Sequence, residues 1–69
     1  MILIFGKDTC PYTSAARQDY ASAGKPFEYI NVLQNQGELK RMLDYSKGVR
    51  EVPVIVENGE VTIGHAGGT

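Results

Sequence analysis

The run Ile2-Leu3-Ile4-Phe5 is apolar at every position and stops at Gly6. A strand without a polar face must be covered on both sides, which places it in the centre of a sheet. In a chain of 69 residues the cover has to come from nearby segments. The residues that follow are suited to this. Lys7 to Cys10 read as a loop, and Pro11 suits a first helical turn, where a missing N–H costs nothing. Thr9 is the expected N-cap. The helix runs through Ala15, Ala16, Arg17 and Tyr20 to about Ala23, where Gly24 ends it and Pro26 blocks its continuation. Phe27 to Val32 then alternates as a strand, with Phe27, Tyr29 and Asn31 on one side and Glu28, Ile30 and Val32 on the other. A right-handed crossover through the helix makes the first two strands parallel.

A second helix begins at Asn35 or Gln36, carries Leu39, Met42 and Leu43 at helical spacing, and stops before Gly48. Val52–Val56 and Val61–Ile63 flank Glu57-Asn58-Gly59-Glu60, and Asn-Gly between apolar runs is a strong hairpin signal. The tail from Gly64 to Thr69 is too glycine-rich for the interior of a strand or helix. The order strand, helix, strand, helix, hairpin predicts one α/β domain over residues 1–69, with a four-stranded mixed sheet flanked by helices.

With one cysteine, no internal disulfide can form, and no Cys/His set has zinc spacing. An apolar fraction of 42% supplies a core instead. The net charge of −1 without a basic stripe argues against nucleic acid. The opening run is too short to span a membrane and lacks the flanks of a signal peptide, so a reducing, cytoplasmic setting is expected.

Cys10 lies between a buried strand and a helix start, at the carboxyl end of the strand, where α/β sheets place their chemistry. Free N–H groups and the partial positive charge of a helix N-terminus favour thiolate over thiol, and thiolate is the nucleophile. Lys7 adds a positive charge. The alternative is a small structural core residue. Pro11 favours the first reading, because Cys-Pro at a helix start puts the sulfur on an exposed first turn.

Lys7-Asp8-Thr9-Cys10-Pro11-Tyr12-Thr13 resembles the Lys-x-x-Cys-Pro-Tyr-Cys active-site segment of glutaredoxins, which have a thioredoxin-like fold. Val52-Pro53 resembles the family's Val-Pro, whose proline is cis and faces the active cysteine. Gly67-Gly68 resembles its glycine pair. The resemblance extends over the whole chain and implies a glutathione-linked thiol–disulfide oxidoreductase, acting as a monomer in cell redox homeostasis. Its partners would be glutathione or another small thiol and glutathionylated or disulfide-containing proteins, with glutathione as co-substrate and no bound cofactor. It implies that Cys10 forms the mixed disulfide, Lys7 pairs with a glutathione carboxylate, and Val52 offers its backbone N–H and C=O like an added strand. Pro53 would shape that wall, Tyr12 would pack beside the sulfur, and Gly67, Gly68 and Thr69 would hold the γ-glutamyl carboxylate. The alternatives are an ordinary edge proline at Pro53 and a flexible tail at the glycine pair.

Four departures bear on this reading. Thr13 stands where the resolving cysteine is usual, which removes the dithiol route and leaves a monothiol one; its hydroxyl is also placed to bond the sulfur. Monothiol relatives hold a [2Fe–2S] cluster through one cysteine per subunit plus glutathione, but the dedicated ones carry Cys-Gly-Phe-Ser, and Pro11-Tyr12 favours transfer chemistry. His65-Ala66 interrupts the glycine motif; His65 either titrates beside the thiol or is a solvated loop residue. The chain stops at Thr69 where relatives continue into a helix. Either the protein is short, or a selenocysteine or cysteine follows the Gly-Gly-Thr ending, as in glutaredoxin-like selenoproteins. Glu51, where relatives often carry Thr, opposes an anionic tripeptide, and Arg50 offsets it. A non-catalytic interaction module is the remaining alternative.

Overall fold

β1 (Ile2–Gly6) is buried along its whole length and forms the centre of the molecule. A computed structural model describes all 69 residues. β1 is followed by α1 (Pro11–Ser22), β2 (Glu28–Asn31), α2 (Gln36–Ser46), β3 (Val54–Glu57) and β4 (Glu60–Ile63). The sheet order is β2-β1-β3-β4. β2 runs parallel to β1, with Phe5 opposite Ile30, while β3 is antiparallel to β1 and β4 antiparallel to β3. This is the mixed four-stranded sheet with two helices that the sequence predicts.

The unbroken apolar run in β1 serves two cores. Leu3 and Phe5 join Ile30, Val32, Met42, Val54 and Val56 beneath α2. Ile2 and Ile4 join Ala16 and Ile55 beneath α1, flanked by Tyr20, Phe27 and Tyr29. Side chains alternate across a strand, so each face of β1 meets a different helix. Full burial of apolar side chains of this size contributes about 1.5–3 kcal/mol each.

The element ends differ in detail from the sequence reading. α1 stops at Ser22 with Ala23 as its C-cap, and Gly24 follows with a positive φ of 70°. β2 is shorter than 27–32 at both ends. β3 begins at Val54, not Val52, because Pro53 has no N–H to give to a ladder; the Val52–Pro53 peptide bond is cis. The N-cap of α1 is Cys10, not Thr9. Pro11 occupies N1, so the cap has to be the residue immediately before it. The Asn58-Gly59 turn forms as expected, with both residues at positive φ.

Gly6 brings the two ends of the β1–α1 unit together. A Cβ at Gly6 would overlap the Thr13 side chain, so α1 crosses the end of β1 at a distance only glycine allows. No helix in the protein is long and apolar enough to cross a membrane.

Candidate active site

Cys10 is the N-cap residue of α1, with extended backbone angles of φ −91° and ψ 117°. An N-cap side chain ordinarily offers an oxygen to the N–H groups of the second and third helical residues. Here those residues are Tyr12 and Thr13, and the atom facing their N–H groups is sulfur. No capping hydrogen bond forms from the thiol. The position favours thiolate over thiol.

The forces on the sulfur oppose one another. Burial pushes the thiol pKa up. The Thr13 hydroxyl and N–H, the Tyr12 N–H and the Lys7 charge pull it down, and together they prevail, so Cys10 lies below the ordinary thiol value. Thr13 is fully buried, and its hydroxyl has no hydrogen-bond partner in the thiol state. The thiol itself donates weakly to the Val52 carbonyl across 3.9 Å. Loss of the thiol proton breaks that weak contact and gives the orphaned Thr13 hydroxyl an acceptor.

The expectation of an exposed sulfur is corrected by the structure: Cys10 is 4% exposed. The segment before β3 folds over the start of α1 and leaves a cleft of about 310 Å³. Lys7, Cys10, Pro11, Arg50, Glu51, Val52 and Thr69 line it. Lys7 and Arg50 contribute two cations to the lining of the cleft, and Glu51 one anion. The Val52 N–H has no partner within the chain. Pro53 is buried behind this wall, and its carbonyl accepts from the Gly64 N–H at 2.7 Å.

The tail is ordered by its own bonds. His65 and Gly68 exchange two backbone hydrogen bonds, of 2.8 and 3.0 Å, around Ala66 and Gly67, both at positive φ. The Gly68 N–H is thereby already used. The Tyr12 ring lies on Gly68 so closely that a Cβ there would overlap it, and Tyr12 does not line the cleft. Of the three tail residues singled out in the sequence, Thr69 alone lines the cleft. The His65 Nε2–H donates to Asp19 Oδ2 of α1 at 2.7 Å, and His65 lines a neighbouring cavity of about 630 Å³. That cavity and the cleft share Glu51 and Thr69. No group of three or more His, Cys, Asp or Glu side chains converges to hold a metal.

A family model described as Glutaredoxin matches residues 2–62. The chain belongs to the glutaredoxin family. The chain is similar in structure to the glutaredoxin grx-1 of Archaeoglobus fulgidus, at 25% identity and a TM-score of 0.80 over 93% of this chain and 74% of that one. It is similar in fold to the glutaredoxin-like NrdH-redoxin of Escherichia coli (24% identity, TM-score 0.79, 91% of this chain and 80% of that one). Wheat glutaredoxin matches at 25% identity with a TM-score of 0.75, over 91% of this chain and 60% of its own. No match was found among curated protein sequences. Family membership accounts for the thioredoxin-like architecture and for redox chemistry centred on thiols and disulfides.

Proposed function

We propose that this glutaredoxin is a glutathione-linked thiol–disulfide oxidoreductase that works through Cys10 alone. The observation that carries the reading is the capping position of the sulfur, where two N–H groups, the Thr13 hydroxyl and Lys7 outweigh burial and favour thiolate. The Cys10 thiolate attacks the glutathione sulfur of a mixed disulfide. The old S–S bond breaks, the substrate leaves as a thiolate that takes a proton, and Cys10 holds glutathione in a new disulfide. A second glutathione thiolate attacks that sulfur, releasing glutathione disulfide and restoring the Cys10 thiolate. Net, one mixed disulfide and one glutathione become one thiol and one glutathione disulfide.

Lys7 and Arg50 receive the glycyl carboxylate of the tripeptide. The Val52 N–H pairs with its cysteinyl backbone, and the Val52 carbonyl becomes available once the Cys10 proton is lost. Thr69 lies at the γ-glutamyl end; the Gly68 N–H, already donated within the tail, does not take part. Pro11 and Pro53 shape the walls. Such a reaction needs a reducing compartment, which assigns the protein to the cytoplasm, and one chain carries every group the cycle uses.

Turnover of a small glutathione mixed disulfide, coupled to glutathione reductase, tests the reading. The expected result is activity that Cys10→Ser reduces to the background rate. Activity that survives the substitution, or its absence in the parent chain, sinks the proposal.

A further inference from the structure

A second cluster of polar groups lies on the opposite side of the active-site loop from the cleft wall, and the cycle above makes no use of it. The Tyr29 hydroxyl, on β2, donates to Asp8 Oδ1 at 2.7 Å. The Arg17 guanidinium, on α1, lies 3.9 Å from the centre of the Tyr29 ring. Three residues from a loop, a helix and a strand thus meet at one point, and the loop residue is two positions before the nucleophile.

Asp8 is a problem for the thiolate. A carboxylate beside Lys7 would cancel the cation that favours the charged sulfur, because opposite and like charges at similar range shift a pKa in opposite senses. Lys7 from the β1–α1 loop and Arg50 and Glu51 from the segment before β3 line the cleft with Cys10, and Asp8 does not; on the other side, Arg17 of α1 lies over Tyr29 of β2, which holds Asp8 and is within range of the Cys10 charge. The Lys7 charge acts on Cys10 in favour of the thiolate. Asp8 is occupied by Tyr29.

We propose that Tyr29, backed by Arg17, is a positioning residue that fastens Asp8 to the β2 side of the loop and so leaves the Lys7 charge on Cys10 unopposed. The inference rests on the reading of Cys10 as a thiolate nucleophile. The cluster is built to persist. Burial first, and the Asp8 contact second, push the Tyr29 pKa up to about 12, so the phenol remains a donor throughout the range in which a thiol titrates. The half-buried Arg17 covers the ring face, and a cation–aromatic contact of this kind is favourable where it is partly desolvated.

The test reads the pH profile of Cys10 in the reduced full chain, by ultraviolet thiolate absorbance and by the rate of alkylation with iodoacetamide. Tyr29→Phe keeps the ring and frees Asp8. The expected result is a higher apparent thiol pKa and alkylation slowed about threefold near neutral pH, the change in thiolate fraction that half a pKa unit gives. Asp8→Asn alone leaves the profile in place or moves it down, and the double variant Tyr29→Phe/Asp8→Asn restores the parent rate. Arg17→Met, which keeps the stem, moves the profile in the same direction as Tyr29→Phe and serves if the latter unfolds. An unmoved profile in both Tyr29→Phe and Arg17→Met overturns the proposal. A double variant as slow as Tyr29→Phe also overturns it, because the residue would then act through packing and not through Asp8. A parent profile at the ordinary thiol value refutes the nucleophile reading itself, whereas a lowered parent profile that the variants do not move refutes only the positioning role.

Discussion

The two helices begin in the same way and are finished differently. At α2 the N-cap is Asn35, whose Oδ1 accepts from the Glu38 N–H at 2.8 Å, and Glu38 adds a negative charge in the first turn. At α1 the N-cap is Cys10, no side-chain bond closes the end, and no acidic residue lies in the first turn. Both termini present free N–H groups and a partial positive charge. α2 satisfies them with a permanent acceptor and gains stability. α1 leaves them for an acceptor that appears only when a proton departs. The difference shows how an element end becomes reactive: the stabilising group is withheld and an ionisable atom is put in its place.

Three experiments break or sharpen that contrast. Thr13→Val removes the hydroxyl that waits for the thiolate. It should slow alkylation of Cys10 near neutral pH about tenfold, the scale of one hydrogen bond to a charged group, while Thr13→Ser keeps most of the rate. An unchanged rate would show that the N–H groups and Lys7 suffice. Asn35→Ala opens the α2 terminus in the same manner. Urea unfolding should report a loss of about 1 kcal/mol, with the alkylation profile of Cys10 unmoved; a shifted profile would mean that the two ends are coupled. The smallest effect concerns pH. The Cys10 pKa is lowered in the fold, so the stability it contributes is complete above the ordinary thiol value and disappears as pH falls through the lowered one. Cys10→Ser should abolish that rise. Below it, Ser should be the more stable chain by about 0.5 kcal/mol, because a hydroxyl caps where a thiol does not.

Much of the fold was legible because the signals were local. An all-apolar strand, Asn-Gly between apolar runs and Leu39, Met42 and Leu43 at helical spacing each specify their own neighbourhood. The Cys-Pro pair marks Cys10 as the candidate nucleophile, but its burial has no sequence signal. The segment that covers it, Arg50 to Val52, arrives from forty residues away, and its path depends on how β3 joins the sheet. The same limit applies to Thr9. Its hydroxyl suggests a cap, but Pro11 at N1 gives the position to Cys10. The Asp8–Tyr29–Arg17 cluster left no sequence signal, because Tyr29 reads as one face of an alternating strand and Asp8 as a loop residue. Gly67-Gly68 was misjudged in kind: the pair suggested open backbone donors, whereas Ala66 and Gly67 form a turn that consumes the Gly68 N–H.

The near-complete burial of Cys10 also governs the order of events. In the proposed cycle both reactants would reach the sulfur through the cleft that Cys10 lines. The thiol product of the proposed first exchange would then leave before the reducing thiol enters. Kinetics of the double-displacement kind, with parallel reciprocal plots as either partner is varied, are the outcome that the proposed cycle predicts for this cleft.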